Sequence, residues 1–136
     1  MANITKEIRA ILETQLAQVT QIPSIAYQNV PFTPTTGSSY VEVNYVPTSR
    51  KPAVRGLQPQ QRYEGIFAVN CYAPEGKGPA VAETIAENVC SSFEATNSLT
   101  DQNNLTVRID YAEIQQGMLD SPWFMVPVII TWYAYH

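Results

Sequence analysis

The chain has 136 residues, of which 45% are hydrophobic and only 15% are charged, and its formal net charge is −4. This length predicts one domain, residues 1–136, with a core large enough to need no disulfide or metal. The excess of acidic residues argues against a nucleic-acid-binding protein, which usually carries a basic face. The low charge has two interpretations: other subunits cover part of the surface, or the surface is polar without being charged.

The sequence gives no indication of a membrane segment. Residues 1–12 lack the basic stretch and apolar core of a signal peptide. The apolar run from Trp123 to Trp132 is too short to cross a bilayer as a helix. Cys71 and Cys90 match no metal or redox spacing, so we interpret them as buried free thiols. We therefore expect a cytoplasmic protein without membrane contact.

The first predicted elements are a helix and two strands. Asn3 or Thr5 can cap a helix whose apolar residues recur at helical spacing. Residues 24–29 and 40–46 then alternate between apolar and polar side chains, which predicts two strands. Pro47 follows the second strand directly and is expected to end it, because proline lacks the N–H that a strand ladder needs.

Residues 48–61 have no hydrophobic period and contain two prolines and a glycine. Loops of this length in small domains are usually functional or mobile. Because the segment joins two strands that could be neighbours in a hairpin, we predict a long loop that projects from one edge of the sheet. Half of the basic residues lie within it or directly after it: Arg50, Lys51, Arg55 and Arg62. Four cations among prolines and glutamines are sparse for nucleic acid, so we interpret them as candidate partner-contact residues.

The central part of the chain has the strongest pattern. From Arg62 to Ala73, one alternate set of residues is almost entirely apolar, which predicts a strand with one face in the core. Proline and glycine at 74–78 break this strand, and Pro79 is well placed to begin a helix. Apolar residues follow at helical spacing as far as Phe93, so we expect this helix to pack back on the sheet.

The C-terminal part predicts two more strands after a polar loop at 96–104. Residues 105–111 alternate clearly, and residues 123–135 form the most apolar segment, in which Pro127 indicates an edge position or a bulge. The element order is therefore α-β-β-β-α-β-β. It predicts an α+β fold with a mainly antiparallel β-sheet of about five strands and two helices packed on one face.

Side chains that carry chemistry do not form a recognisable set in the sequence. His136 is the only histidine and the last residue, and no metal-ligand spacing occurs. The turn at 75–78 lacks the spacing of a phosphate-binding loop, and we interpret Asp110 and Glu113 as solvated acids. The eight tyrosines and two tryptophans are interpreted as packing residues rather than as a stacking platform for nucleic acid. We predict no enzyme, no catalytic residue, no cofactor and no metal.

Three segments carry a resemblance to a known family. They are the N-terminal helix with Pro-Phe-Thr-Pro at 31–34 and the strand from Tyr40; residues 62–78 and the helix that follows; and the closing strand after Gly117 with Trp123, Trp132 and Tyr133. Together they resemble the tail terminator (tail completion) proteins of long-tailed phages. The resemblance spans most of the chain and rests on length, element order and turn chemistry, because none of the segments is a catalytic signature.

The resemblance implies a structural function. Such proteins form a ring, usually a hexamer, on the last ring of the tail tube, where the ring ends tube polymerisation. The other face of the ring joins the head-completion (neck) proteins, and DNA passes through the lumen without specific binding. The implied location is the neck end of the virion tail, after assembly in the host cytoplasm. The final strand and the loop at 48–61 are the expected contacts for ring and tube.

Two other functions fit the same sequence. A head-completion or connector protein of the phage neck has a similar size and also forms a ring, and it differs in the partner that the ring binds. A small ligand-binding or enzymatic α+β domain would need a defined pocket with convergent polar groups and perturbed carboxylates.

Overall fold

The computed structural model of the chain describes residues 3–52, 60–76, 78–95, 98–101 and 103–136. Within these residues, two helices and seven strands follow one another in the order α1, β1, β2, β3, α2, β4, β5, β6 and β7. Their bounds are Ile4–Ala17 (α1), Ser24–Ala26 (β1), Tyr40–Pro52 (β2), Gln61–Pro74 (β3), Ala80–Ala95 (α2), Ser98–Thr100 (β4), Thr106–Ile114 (β5), Met118–Asp120 (β6) and Trp123–Tyr135 (β7).

Asn3 is the residue that caps the first helix. Its side-chain oxygen accepts a hydrogen bond of 3.1 Å from the backbone N–H of Lys6, which satisfies one of the free donors at the helix start. The apolar stripe of α1 then faces inward, with Leu12 fully buried. The Gln15 amide donates to the hydroxyl of Ser92 at 2.9 Å, so α1 is also tied directly to α2.

The sheet differs from the prediction in strand number and in direction. Its order is β1-β2-β3-β7-β5-β4, with β6 beside β7, so it has seven strands rather than about five. It is mixed rather than mainly antiparallel, because β1 pairs with β2 in parallel. The extra strands β4 and β6 have three residues each, which is too short for an alternating pattern to be recognised. The α+β class itself is confirmed.

β2 continues well beyond its predicted end. Pro47 does not terminate it; a register irregularity lies between Pro47 and Ser49, and the strand then runs on to Pro52 opposite Gln61 of β3. Residues 48–52 are therefore strand and not part of the loop predicted over 48–61, and residues 53–59 lie outside those described. Proline is tolerated at this position because the outer side of β2 is an edge, where its missing N–H breaks no ladder bond.

β7 occupies an interior position, with β3 on one side and β5 and β6 on the other. The edge position considered for Pro127 is therefore wrong. Its carbonyl accepts a hydrogen bond of 2.9 Å from Gln115, the residue after β5. N–H and C=O of one residue point to the same side of an antiparallel strand, so the missing N–H of Pro127 faces the interruption between β5 and β6.

One hydrophobic core lies between the helices and a single face of the sheet. Its largest fully buried side chains are Trp132 and Phe67 from the strands and Phe93 from α2. Both helices contribute to this one cluster, which agrees with the expected packing of both on one face. Burying each such aromatic or aliphatic side chain stabilises the fold by about 1.5–3 kcal/mol relative to exposure.

A smaller cluster lies on the opposite face of the sheet. Tyr40 and Tyr72 stack with ring centroids 4.5 Å apart, and Trp123 packs edge-on against Tyr40 at 5.3 Å. These aromatic residues serve packing, as predicted for the tyrosine-rich strands. Burial, followed by the nearby charge of Glu42, raises the pKa of Tyr72 to about 12.

Candidate interaction surfaces

The predicted partner-contact residues lie mainly on paired strands. Arg50 and Lys51 are exposed on β2, opposite Tyr63 and Arg62 of β3 respectively. The Arg50 guanidinium carbon lies 5.2 Å from the centre of the Tyr63 ring, which directs its charge along the hairpin. Arg55 lies outside the described residues. The sequence therefore located a basic surface but not the strands that support it.

Arg62 is already engaged within the chain. Its guanidinium carbon lies 4.5 Å from the ring centre of Tyr133 and 5.4 Å from that of Tyr135. It also donates a hydrogen bond to the Tyr135 hydroxyl and forms an ion pair of 3.5 Å with Glu64. Burial acts to lower the pKa of Arg62, but the hydrogen bond to Tyr135 and the neighbouring Glu64 raise it overall. These contacts fix the side chain across the end of β7.

One side of β2 is open over half its length. β1 pairs with β2 only from Tyr40 to Glu42, and the Gln28 side chain then accepts a hydrogen bond of 2.7 Å from the Tyr45 N–H. Among the described residues, no strand pairs with the outer side of Val46–Pro52. We call this segment the β2 edge. Unpaired backbone groups at a sheet edge are a template for pairing with another strand.

A second open edge lies on the opposite side of the sheet. β4 pairs with β5 only over Thr106–Arg108. In the part of the chain that the structure describes, the outer sides of Ile109–Ile114 and Met118–Asp120 have no partner strand, and we call them the β5–β6 edge. Exposed side chains along it are acidic or apolar: Asp110, Glu113, Asp120, Tyr111, Met118 and Leu119. With 67% of its surface exposed, Leu119 is a side chain expected to be covered in an assembly.

A cavity of about 250 Å³ opens beside the irregular part of the β2 edge. Its lining comprises Thr5, Tyr45, Pro47, Thr48, Ser49, Arg50, Tyr63 and Trp132. The indole of Trp132 stacks on the Tyr45 ring at 5.5 Å, and its buried N–H has no acceptor among the described residues. The lining therefore offers hydrogen-bond donors, a cation and aromatic walls, a combination that suits a small acidic or carbonyl group.

A larger groove of about 470 Å³ lies between α1 and β4, but its polar groups already serve the fold. The carboxylate of Asp101 accepts hydrogen bonds from the backbone of Asn103 and Leu105, at 2.9 and 3.0 Å. The Asn103 amide in turn donates to Glu7 at 3.0 Å. Both carboxylates of this lining, Glu7 and Asp101, are therefore engaged in hydrogen bonds within the chain.

The two cysteine thiols lie in the core, and the last residue is paired with β3. Burial raises the pKa of Cys71 to about 12, and burial together with the carboxylate of Glu94 does the same for Cys90. His136 exchanges two backbone hydrogen bonds with Gln61, at 2.8 and 3.0 Å, so this residue extends the pairing of β7 with β3. Across the described ranges, no three His, Cys, Asp or Glu side chains come together as a metal site.

The final strand was expected to supply a ring or tube contact. Because β7 is paired on both sides, its backbone offers no open edge, and the two edges lie instead on β2 and on β5–β6. Open strand edges of this kind can accept a strand from another chain.

Comparison with known proteins identifies the family to which this chain belongs. The phage tail terminator protein family matches residues 7–132, and the chain belongs to this family. It is therefore a structural protein of the phage tail, and the resemblance inferred from the sequence is confirmed. No curated protein matches the chain. In the described part of the chain, neither helix has the length and apolar character needed to cross a bilayer.

Two solved structures share the fold. One chain with 24% sequence identity superposes with a TM-score of 0.72, covering 96% of this chain and 94% of its own length. A chain from the virion of a native gene transfer agent (GTA) particle has 15% identity and a TM-score of 0.62, with 95% of each chain covered. The overall fold is therefore shared with a chain of a virion particle.

Proposed function

We propose that this protein forms a ring, of six copies as in the usual tail terminator ring, which caps the tail tube and ends its polymerisation. The observation that carries the proposal is the pair of open edges on opposite sides of one sheet. A contact between two different surfaces of the same protein repeats from copy to copy, and it either closes into a ring or grows without limit. Family membership over residues 7–132 supports closure.

The proposed ring has two further partners. One face contacts the last ring of tail tube protein, and the other receives the head-completion or neck protein at the neck end of the tail. The net charge of −4 is consistent with a lumen through which DNA passes without specific binding. Assembly would take place in the host cytoplasm before the virion is complete.

The basic residues are proposed as partner contacts in this assembly. Arg50 and Lys51 are exposed and form no ion pair with the residues that the structure describes, so an acidic partner can approach them, and Arg55 remains a proposal from the sequence alone. Arg62 is better suited to fixing the end of the sheet, because its guanidinium group is already bound to Tyr135 and Glu64.

Electron microscopy of the purified protein tests the proposal. It would be imaged alone and mixed with tail tubes made from the tube protein encoded in the same genome. Rings that cap one end of the tubes are the expected result. Rings that ignore tubes and bind capsid portals would favour a neck connector instead. A protein that binds neither particle would refute the proposal and turn attention to the groove between α1 and β4.

A further inference from the structure

We infer that the β2 edge of one copy pairs with the β5–β6 edge of the next copy, so that the sheets of neighbouring copies join around the ring. This inference rests on the proposed ring and adds the surfaces that form it. The occupant of each edge is a second copy of the same chain. Four features of the structure lead to this assignment: edge position, charge, apolar exposure and the cavity beside the β2 edge.

The positions of the edges favour a head-to-tail contact. β3 and β7 separate β2 from β5 and β6, so the two edges face away from each other across the sheet. A copy that offers its β2 edge to one neighbour therefore leaves its β5–β6 edge for the other. Both edges are already extended strands without a partner strand in the described residues, and on the outer side of β5 the Ala112 carbonyl accepts a hydrogen bond of 3.5 Å from the Cys90 thiol.

The charges of the two edges are complementary. Arg50 and Lys51 are exposed on the β2 edge, whereas Asp110, Glu113 and Asp120 are exposed on the β5–β6 edge. Opposite charges across paired strands stabilise the pairing, and like charges oppose it. The same distribution disfavours a contact between two β2 edges or between two β5–β6 edges. The charges thus select the head-to-tail arrangement over a symmetric dimer.

Apolar side chains on both edges would be buried by the same contact. Val46 on the β2 edge has 43% of its surface exposed, and Met118 and Leu119 on the β5–β6 edge have 53% and 67% exposed. Pro47 and Pro52 remove two N–H donors from the β2 edge, so strand pairing there is restricted to the residues between them. This restriction limits indiscriminate pairing with other strands, which a bare edge would permit.

The cavity beside the β2 edge adds a specific recipient for an acidic side chain. Thr48, Ser49 and Arg50 belong to its lining, and no carboxylate lies among the residues described around it. The Thr48 hydroxyl already donates to the Glu64 carbonyl at 3.2 Å, which leaves Ser49 and Arg50 as the polar groups of this lining on the β2 edge. A carboxylate from the β5–β6 edge of the neighbour would accept hydrogen bonds from the Ser49 hydroxyl and the Arg50 guanidinium group. The cavity therefore matches the chemistry of the opposite edge.

Cysteine cross-linking provides a direct test of the contact. A chain carrying both Ser49→Cys and Glu113→Cys would be oxidised with copper phenanthroline and run on a non-reducing gel. The expected result is a ladder of covalent oligomers that ends at the ring size. Each single variant is the matched control and should give no ladder, because the native Cys71 and Cys90 are buried. Absence of a ladder in the double variant, although rings are present by microscopy, would overturn the inference.

Charge exchange provides a second test that does not depend on cross-linking. Arg50→Glu with Lys51→Glu, or Asp110→Lys with Glu113→Lys, should each weaken self-association at least about tenfold by sedimentation velocity. Combining all four changes should restore it. The control, Glu83→Lys with Glu87→Lys on the exposed side of α2, should leave association unchanged. Rings of normal affinity in both reversed variants would overturn the inference.

The two proposals fail in different ways. If reversed variants still form rings but these no longer cap tubes, the basic residues contact the tube and the inferred edge pairing is wrong. If edge pairing is confirmed but the rings ignore tubes, the capping function is wrong. A wild-type protein that stays monomeric at its highest soluble concentration also overturns the edge pairing. The capping function is then tested separately, by imaging the protein mixed with tail tubes. If a reversed variant does not fold, as judged by circular dichroism, the cross-linking result decides.

Discussion

Replacing Gly65 by alanine should destabilise the protein strongly, because this glycine allows a close approach between strands and the core indole. A Cβ atom at position 65 would lie 2.7 Å from Cζ2 of Trp132 and 2.9 Å from the Cα of Pro47, and it would also clash with the carbonyl oxygen of Val46. Two of these three atoms belong to the backbone and cannot rotate away. The change therefore forces β2, β7 or both to move.

The magnitude follows from two opposing effects. Overpacking a well-packed core costs about 1–3 kcal/mol, and the backbone clashes place Gly65→Ala at the upper end. Alanine also reduces the conformational entropy of the unfolded chain, which offsets about 0.5–1 kcal/mol. The net loss is about 2 kcal/mol in the free energy of unfolding. For a chain of 136 residues this lowers the Tm by about 7 °C.

Urea unfolding followed by tryptophan fluorescence would measure the effect, with two other glycines as controls. A Cβ at Gly37 meets nothing within 4 Å, so Gly37→Ala should cost only the strain of its positive φ, about 1 kcal/mol. The three atoms nearest to a Cβ at Gly117 are side-chain atoms of Phe124 and Val126, and a ring edge can shift, so its cost should be smaller than at Gly65. Stability of Gly65→Ala within about 0.5 kcal/mol of the wild type would refute the reasoning.

Three further predictions concern the thiols, a buried phenol and the first helix. Cys71 and Cys90, whose pKa values burial raises from 9.0 to about 12, should react with a thiol reagent at pH 8 only after unfolding in urea. Burial also raises the pKa of Tyr45 from 10.0 to about 12, so its contribution to stability is complete below pH 10 and lost as the pH rises towards 12. Between pH 10 and pH 12, the free energy of unfolding of Tyr45→Phe should therefore fall less than that of the wild type, as measured by urea titration at each pH. Asn3→Ala should reduce stability by about 1 kcal/mol in the same assay while Asn3→Asp does not, because only alanine removes the cap of Lys6.

The helices and strands with the clearest sequence patterns could be predicted because those patterns depend only on neighbouring residues. The strand expected from Arg62 to Ala73 is β3, Gln61–Pro74, and its buried alternation follows the predicted parity. The helix expected after Pro79 is α2, which begins at Ala80. Alternation over a long strand and helical spacing over several turns both depend on neighbouring residues, so a single sequence is enough to reveal them.

The elements that were missed depend on non-local partners. β4 and β6 are strands only because β5 and β7 pair with them, and three residues carry no period of their own. Pro47 predicted a strand end and Pro127 an edge position or a bulge, yet Pro47 lies within β2 on an open edge and Pro127 faces an interruption in the neighbouring strand. Proline is excluded from a strand only where a ladder bond is required, and the sequence does not state which side of a strand is paired.

The candidate surfaces were likewise predictable from the sequence only in part. The basic residues of the β2 edge are close in sequence and were recognised, whereas the acidic residues opposite them were interpreted separately as solvated acids. Their relationship exists only in the sheet order, which places β2 and β5 on opposite sides of β3 and β7. No pattern within either segment indicates that the two belong to one repeated contact.

Closure is the property that links these edges to the proposed function. In an open assembly, one copy at each end would keep an unpaired strand edge and continue to recruit further copies. In a closed ring, the β2 edge and the β5–β6 edge of every copy are both covered, so lateral growth stops without a further partner. A protein whose proposed task is to end polymerisation must not itself polymerise. Opposite charges on its two edges select the head-to-tail contact, and the angle between neighbouring copies must then close the ring, because the same contact at another angle repeats into an open filament.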